Sequence, residues 1–316
     1  MWFKNLTGFE EVSHEHVTEH LEVCGEYLHS KCNGKSFRCG KLQVLSLQSF
    51  RDRFHLADGP DQLAVSEVEA DVRNLHTNPQ NTNALFQVAS QFNLLEMASP
   101  YISPEAGVDI YEHDFTQGPA CAISCGAGTI YRNYFAHVNG RVGQTSDNQI
   151  DCLHKTGEAL GNSKSGLWKM QNGYALATRD GLTKIDTLLS SMSGSEREKL
   201  KGKLEVGVQW DTEVTTSITR HTVNQVFCSA LPIAYSTIEA PKWERFARLI
   251  LEAAYEATLY AALENLTVRG VPLVYLTKLG GGAFGNRHDW ITESIEMALS
   301  KFAHVPLDVR MVNYPH

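Results

Sequence analysis

The C-terminal part of the chain limits its fold more than any other stretch. Trp243 to Asn265 carries apolar residues at helical spacing and reads as a long amphipathic helix, punctuated at its exit by Gly270 and Pro272. Val271 to Leu279 contains the run Leu273-Val274-Tyr275-Leu276, which fits a buried strand. A glycine-rich turn follows, then a helical pattern from Asp289 to Phe302 and a closing strand from Leu307 to Val312. Helix, buried strand, glycine turn, helix and strand in that order specify an α/β fold around parallel strands.

The remaining elements are read from the same periodicities. Leu63 to Val72 alternates Val65 and Val68 as a strand does, and Asn81 to Phe92 is assigned as a helix with Leu85, Val88 and Phe92 on its apolar face. Thr116 to Tyr134 is dense in small residues and fits a glycine-led helix packed closely on a sheet. Arg141 to Ser165 is polar and reads as an excursion, with further strands at Tyr174 to Thr178 and Leu204 to Gln209. At the front, Val12, Val17, Leu21, Cys24 and Leu28 predict a helix capped by Ser13, followed by a strand at Leu42 to Leu45 and a short helix at Leu47 to Phe54. Gly59-Pro60 marks a boundary between an N-terminal extension, 1–60, and a main domain, 61–316. No internal repeat is present.

Composition enters as a filter. Of 316 residues, 42% are hydrophobic and 20% charged, which supports a sizeable packed core. A net charge of -8 argues against broad nucleic-acid or anionic-membrane contact, yet leaves room for one small basic pocket. Met1 to Asn5 lacks the pattern of a secretory signal, and the longest apolar window, Phe246 to Leu263, is broken by Arg248, Glu252 and Glu256. Seven scattered cysteines suit free thiols in a reducing compartment. The expectation is therefore a cytoplasmic protein, with the nucleus as the other compartment compatible with these features.

Two segments point to a ligand. Gly280-Gly281-Gly282-Ala283-Phe284-Gly285-Asn286 directly follows the buried strand. Glycines there let backbone N–H groups approach an anion without obstruction by Cβ, and the start of the next helix adds a positive dipole end. In open α/β sheets such loops lie where ligands bind. A tight turn without a ligand is the simpler alternative, but four glycines in six positions and an aromatic favour a nucleotide-type site. The spacing matches neither a dinucleotide fingerprint nor a Walker A loop.

The second segment gathers Glu105, Asp109, Glu112, His113 and Asp114 just ahead of the turn Thr116-Gln117-Gly118-Pro119. A carboxylate beside a phosphate-binding turn can orient ribose hydroxyls or act as general acid or base. For any one of these carboxylates a solvated loop is the commoner role; as a cluster they suggest a site. Gln91, Asn93 and Glu96 interrupt an apolar run, as do Asn224 and Gln225, and need partners in backbone or ligand. His14, His16, His20, His29, Cys24, Cys32 and Cys39 fit no zinc signature, so neither metal nor cofactor is expected. Cys121, Cys125, Cys152 and Cys228 read as small buried fillers.

These residues resemble the macrodomain superfamily. The block Val274-Tyr275-Leu276-Thr277 with the Gly280 to Asn286 loop is similar to its last strand and second phosphate loop, nearest the poly(ADP-ribose) glycohydrolase-like and effector-type branch. The resemblance implies a mixed sheet flanked by helices, an insertion near 141–165, and ADP-ribose or an ADP-ribosylated protein as ligand. It places Asp71 beside adenine, Gln91 and Asn93 near the distal ribose, and Thr116, Gln117 and Gly118 in the first phosphate loop. It implies hydrolysis that frees ADP-ribose from proteins such as ubiquitin; a non-catalytic reader is the alternative. Asp114 leads as the catalytic carboxylate, ahead of Asp109 and Glu105, with Asn93 and Asp114 holding the ribose, Phe284 stacking near it and Asn286 fixing the loop. The family's glycine run followed by paired glutamates has no counterpart, since Glu10-Glu11 lies at the wrong end of the chain.

Overall fold

The computed structural model describes residues 1–56 and 58–314; Ala57 and the last two residues of the 61–316 assignment, Pro315 and His316, lie outside the described residues. Seven strands form one mixed sheet: β1 (Lys41–Ser46), β2 (Ala64–Glu69), β3 (Leu85–Ala89), β4 (Glu205–Glu213), β5 (Thr222–Cys228), β6 (Leu273–Leu276) and β7 (Asp308–Asn313). Their spatial order is β1-β4-β5-β3-β6-β7-β2. Strands β5, β3, β6, β7 and β2 run parallel, while β4 is antiparallel to both β5 and β1.

Helices cover both faces. On one lie α1 (Val72–Thr77) and α2 (Gln117–Ser124); on the other lie α3 (Glu244–Arg269) and α4 (His288–Lys301). Central strands buried on both faces alternate their side chains between these layers. Phe86 of β3 stacks on His76 of α1 with ring centres 3.9 Å apart, whereas Gln87 donates to Thr258 of α3 at 3.0 Å. In β5, Asn224 donates to Asn265 of α3, while Gln225 donates to the Cys121 carbonyl of α2. The polar residues that interrupt the strands thus bind helices across the sheet.

Three expectations change. Asn81 to Phe92 is not a helix, because Leu85–Ala89 is the central strand. Leu85, Val88 and Phe92 are all buried, and a strand covered on both sides carries apolar residues at helical spacings as readily as a helix does. The helix predicted from Val12 to Leu28 stops at His20, and Leu21–Cys24 and Tyr27–Ser30 form a hairpin turning at Gly25, whose φ is 63°. Ser13 does cap that short helix, accepting from His16 N–H. Finally, the chain before Gly59-Pro60 is not all outside the main fold: β1 pairs with β4, and the helix Leu47–Arg53 packs on α3.

The polar stretch after Arg141 leads into a hairpin, Trp168–Gln171 and Tyr174–Ala177, closed by Asn172-Gly173. Both turn residues have positive φ, 47° and 79°, which is the conformation an Asn-Gly hairpin turn requires. This hairpin bears on the site.

Candidate active site

The parallel strands β2, β3, β5, β6 and β7 all deliver residues at their carboxyl ends to one cleft. It has two adjoining parts. One, about 230 Å³, is lined by Gln91, Glu96, Asp114, Tyr174, Tyr235 and Phe284 among others. The other, about 420 Å³, is lined by Asp71, Arg73, Phe115, Asn313 and Tyr314. Thr116, Gln117, Thr277, Lys278 and Gly282 border both.

That border carries the two predicted turns, so Gly118 and Gly282 meet on the same pocket. Helix α2 starts there with Thr116 as its N-cap and no side-chain cap bond. Its first N–H groups and dipole are therefore available to an anion. Gly118 is required for packing: a Cβ at this position would overlap the Ala89 carbonyl at the end of β3. Gln117 fastens the same joint, accepting from Ala89 N–H at 2.9 Å and donating to the Gln87 carbonyl at 2.8 Å.

The glycine loop opposite is held from behind. Gly280, with φ of 73°, packs against Ala230, and its carbonyl accepts from Asn286 N–H at 2.9 Å. The Asn286 amide also donates to the Leu231 carbonyl, tying the loop to that segment. Gly281 N–H is bonded to the Lys278 carbonyl and Gly285 N–H to that of Gly282. The N–H groups of Gly282, Ala283 and Phe284 have no protein acceptor among the described residues. Lys278 adds an exposed cation where the two pockets join.

Predicted carboxylates separate on inspection. Asp114 lines the pocket, its Oδ1 accepting from both N–H and Oγ1 of Thr116, at 2.9 and 2.6 Å. Asp109 does not line it: its carboxylate accepts Phe3 N–H and holds the N-terminal helix. Glu105 likewise faces elsewhere, accepting from Ser146 N–H at 2.8 Å. Asn93 is fully buried beneath the site, donating to Gln149 and accepting from Leu95 N–H. Asp109, Glu105 and Asn93 thus do not line the pocket and are engaged in bonds within the fold. Gln91 reaches the wall of the pocket, but its Oε1 is occupied by Met97 N–H. Asp71 caps α1 and forms a two-pronged ion pair with Arg73, which holds its carboxyl below the usual range.

The residue not singled out for chemistry is Glu96. It is 3% exposed, lines the smaller pocket, and neither carboxylate oxygen has a hydrogen-bond partner among the described residues. Burial pushes its pKa up to about 8; Arg132 and the Tyr111 hydroxyl oppose the rise, and the Asp114 charge adds to it. A carboxylic acid kept protonated near neutral pH in a cleft is the arrangement general acids use. Its loop is overdetermined. Phe92 N–H bonds the Gly173 carbonyl, Glu96 N–H bonds the Tyr111 hydroxyl at 3.1 Å, and Leu94 is held at φ of 65°, costly for leucine. The 168–177 hairpin also supplies Tyr174, whose hydroxyl donates to the Met97 carbonyl at 2.6 Å. Its ring meets those of Tyr235 and Phe284 at 5.0 and 5.3 Å, forming an aromatic wall.

Neither protein-family models nor curated proteins match this chain. Among solved structures it is similar to the poly(ADP-ribose) glycohydrolase of Thermomonospora curvata, at 11% identity and a TM-score of 0.46, over 98% of this chain and 92% of that one. It is also similar to the poly(ADP-ribose) glycohydrolase of Deinococcus radiodurans in complex with ADP-ribose, at 10% identity and a TM-score of 0.44, over 86% and 87%. Both likenesses are distant, and neither assigns a role to any residue of this chain.

Proposed function

We propose that this chain binds ADP-ribose across the two pockets and hydrolyses the bond at C1″ of the distal ribose, releasing ADP-ribose from modified proteins, ubiquitin among the candidates. The observation that carries the reading is the unpartnered Glu96 carboxyl buried in the wall of a pocket bordered by two sets of backbone donors. The larger pocket, with Asp71, Phe115 and Tyr314, suits the adenosine end. The diphosphate lies between the α2 N-terminus and the glycine loop, near Lys278. The distal ribose then rests against the aromatic wall with C1″ toward Glu96.

Glu96 gives its proton to the leaving atom as the glycosidic bond breaks and positive charge grows on the ribose. Water attacks C1″, and Asp114, released from Thr116, takes its proton. Solvent exchange then removes the proton from Asp114 and returns one to Glu96, which restores both groups. Immobilising ribose and water together supplies much of the rate gain. A reader without turnover is the second reading, favoured by the engagement of Asp114 with Thr116.

The deciding experiment incubates purified protein with mono-ADP-ribosylated protein and follows free ADP-ribose, alongside calorimetry with ADP-ribose. Binding with release supports the hydrolase, and binding alone supports the reader. No heat at millimolar ligand defeats both.

A further inference from the structure

We infer that Arg132 is a positioning residue for Glu96, holding the loop that presents the acid and steadying the carboxylate that remains once the proton has left. This rests on the reading of Glu96 as the acid of the proposed reaction. The guanidinium is completely buried, and its Nη2 stands 3.8 Å from Glu96 Oε1, in ionic range but too far for a hydrogen bond. Among the described residues Nη1 has no hydrogen-bond partner, and neither has either Glu96 oxygen. Three orphaned polar atoms in one buried pair are costly in a resting protein.

They make sense if the pair is arranged for the other protonation state. While Glu96 carries its proton, the cation has no anionic partner and Nη1 no acceptor among the described residues. When the O–H bond breaks and the proton moves to the leaving atom, a full negative charge appears 3.8 Å from a waiting positive one. An interaction that strengthens only as the reaction proceeds lowers its barrier.

The rest of the guanidinium is fixed for this purpose. Nε donates to the Leu94 carbonyl at 3.1 Å, bracing the left-handed residue two positions before Glu96. Nη2 donates to Thr129 Oγ1 at 3.1 Å, and the plane lies 3.6 Å from the Phe227 ring centre. Arg132 reaches this place from a π-helical turn, Tyr131–Phe135, in which Ala136 N–H bonds the Tyr131 carbonyl. Such turns are uncommon and recur at functional sites. The other titratable groups facing the pair are Tyr111, Asp114, Cys121 and Cys125, so Arg132 is the cation among them.

The test titrates Glu96 by NMR in full-length protein carrying isotope-labelled glutamate, comparing the wild type with Arg132→Met and Thr129→Val. Arg132→Met is expected to raise the Glu96 pKa by about one unit or more. Thr129→Val frees Nη2 to approach the carboxyl and is expected to lower it. In turnover, Arg132→Met should cut kcat by roughly tenfold to a hundredfold with KM nearly unchanged, and move the alkaline limb of the pH profile upward. An unchanged Glu96 pKa in folded Arg132→Met overturns the inference; if that variant does not fold, an unchanged pKa in Thr129→Val does so. Wild-type protein that never releases ADP-ribose, with the pKa shifts present, would remove the hydrolase reading and leave the coupling of Arg132 to Glu96 standing.

Discussion

Arg132 Nη2 and Glu96 Oε1 lie 3.8 Å apart, the guanidinium completely buried and Glu96 in the wall of the pocket. Placing an acid on the pocket wall and its cation behind separates chemistry from ligand binding. Glu96→Gln keeps shape and polarity but cannot release a proton. Turnover should fall by roughly a hundredfold to ten-thousandfold while ADP-ribose binds within a few-fold of wild type. Release assays and calorimetry on the same preparation check it; parallel loss of binding would mean that Glu96 holds the ligand.

The same burial makes Glu96 a liability for the fold. Its folded pKa is raised above the ordinary 4.5, so below that value both folded and unfolded chains hold the proton and nothing is lost. As pH climbs toward about 8 the unfolded chain ionises and the folded one does not. Stability therefore falls across this window and levels off above it, by a few kcal/mol in total. Denaturant titrations at about pH 5 and about pH 9 should show Glu96→Gln gaining on wild type at the higher pH. Parallel pH profiles for the two proteins would show that Glu96 ionises normally.

How much of this could be read from residues alone follows from their physics. The stretch from Trp243 onward was legible because a long amphipathic helix, an apolar strand and a glycine turn each leave a distinct pattern, and all three occur as expected. Leu85–Ala89 was not, since burial on both faces erases the alternation that marks a strand. Asp114 ranks ahead of Asp109 only by resemblance; in the structure the short helical turn at Asp109–His113 directs Asp109 to the N-terminal helix and leaves Asp114 on the cleft. Glu96 stood out as a charge within an apolar run. That it lies in a pocket wall depends on contacts between segments far apart in the chain, among them the bond from its N–H to the Tyr111 hydroxyl.

The acidic loop offers a contrast within one short segment. Asp114→Ala removes the pocket carboxylate and the bonds to Thr116, and should lower turnover by about tenfold or more. Asp109→Asn, distant from the pocket, should leave turnover near wild type. Equal losses in both variants would mean that loop geometry, rather than the Asp114 charge, sets the rate.

The two turns should answer differently to the same added methyl group. At Gly118 a Cβ meets the Ala89 carbonyl and crowds Glu96, so Gly118→Ala should cost about 2 kcal/mol or more in stability. At Gly282 a Cβ meets nothing, and Gly282→Ala should fold as wild type does. Its methyl group, bordering both pockets, should still weaken ADP-ribose binding. Thermal melts and calorimetry separate the two; unchanged affinity in Gly282→Ala would place the diphosphate elsewhere.

Lys278 tests the same placement through charge. It is exposed, borders both pockets, and has no ion-pair partner among the described residues. With the diphosphate beneath it, Lys278→Met should weaken ADP-ribose binding by about tenfold, as expected for loss of one charge-assisted contact. Adenosine, which lacks phosphate, should bind both proteins equally. Added salt should weaken ADP-ribose binding to wild type more than to the variant, because screening acts on a charge the variant lacks. Equal losses for adenosine and ADP-ribose would mean that Lys278 shapes the adenosine pocket and leaves the phosphates to the backbone donors alone.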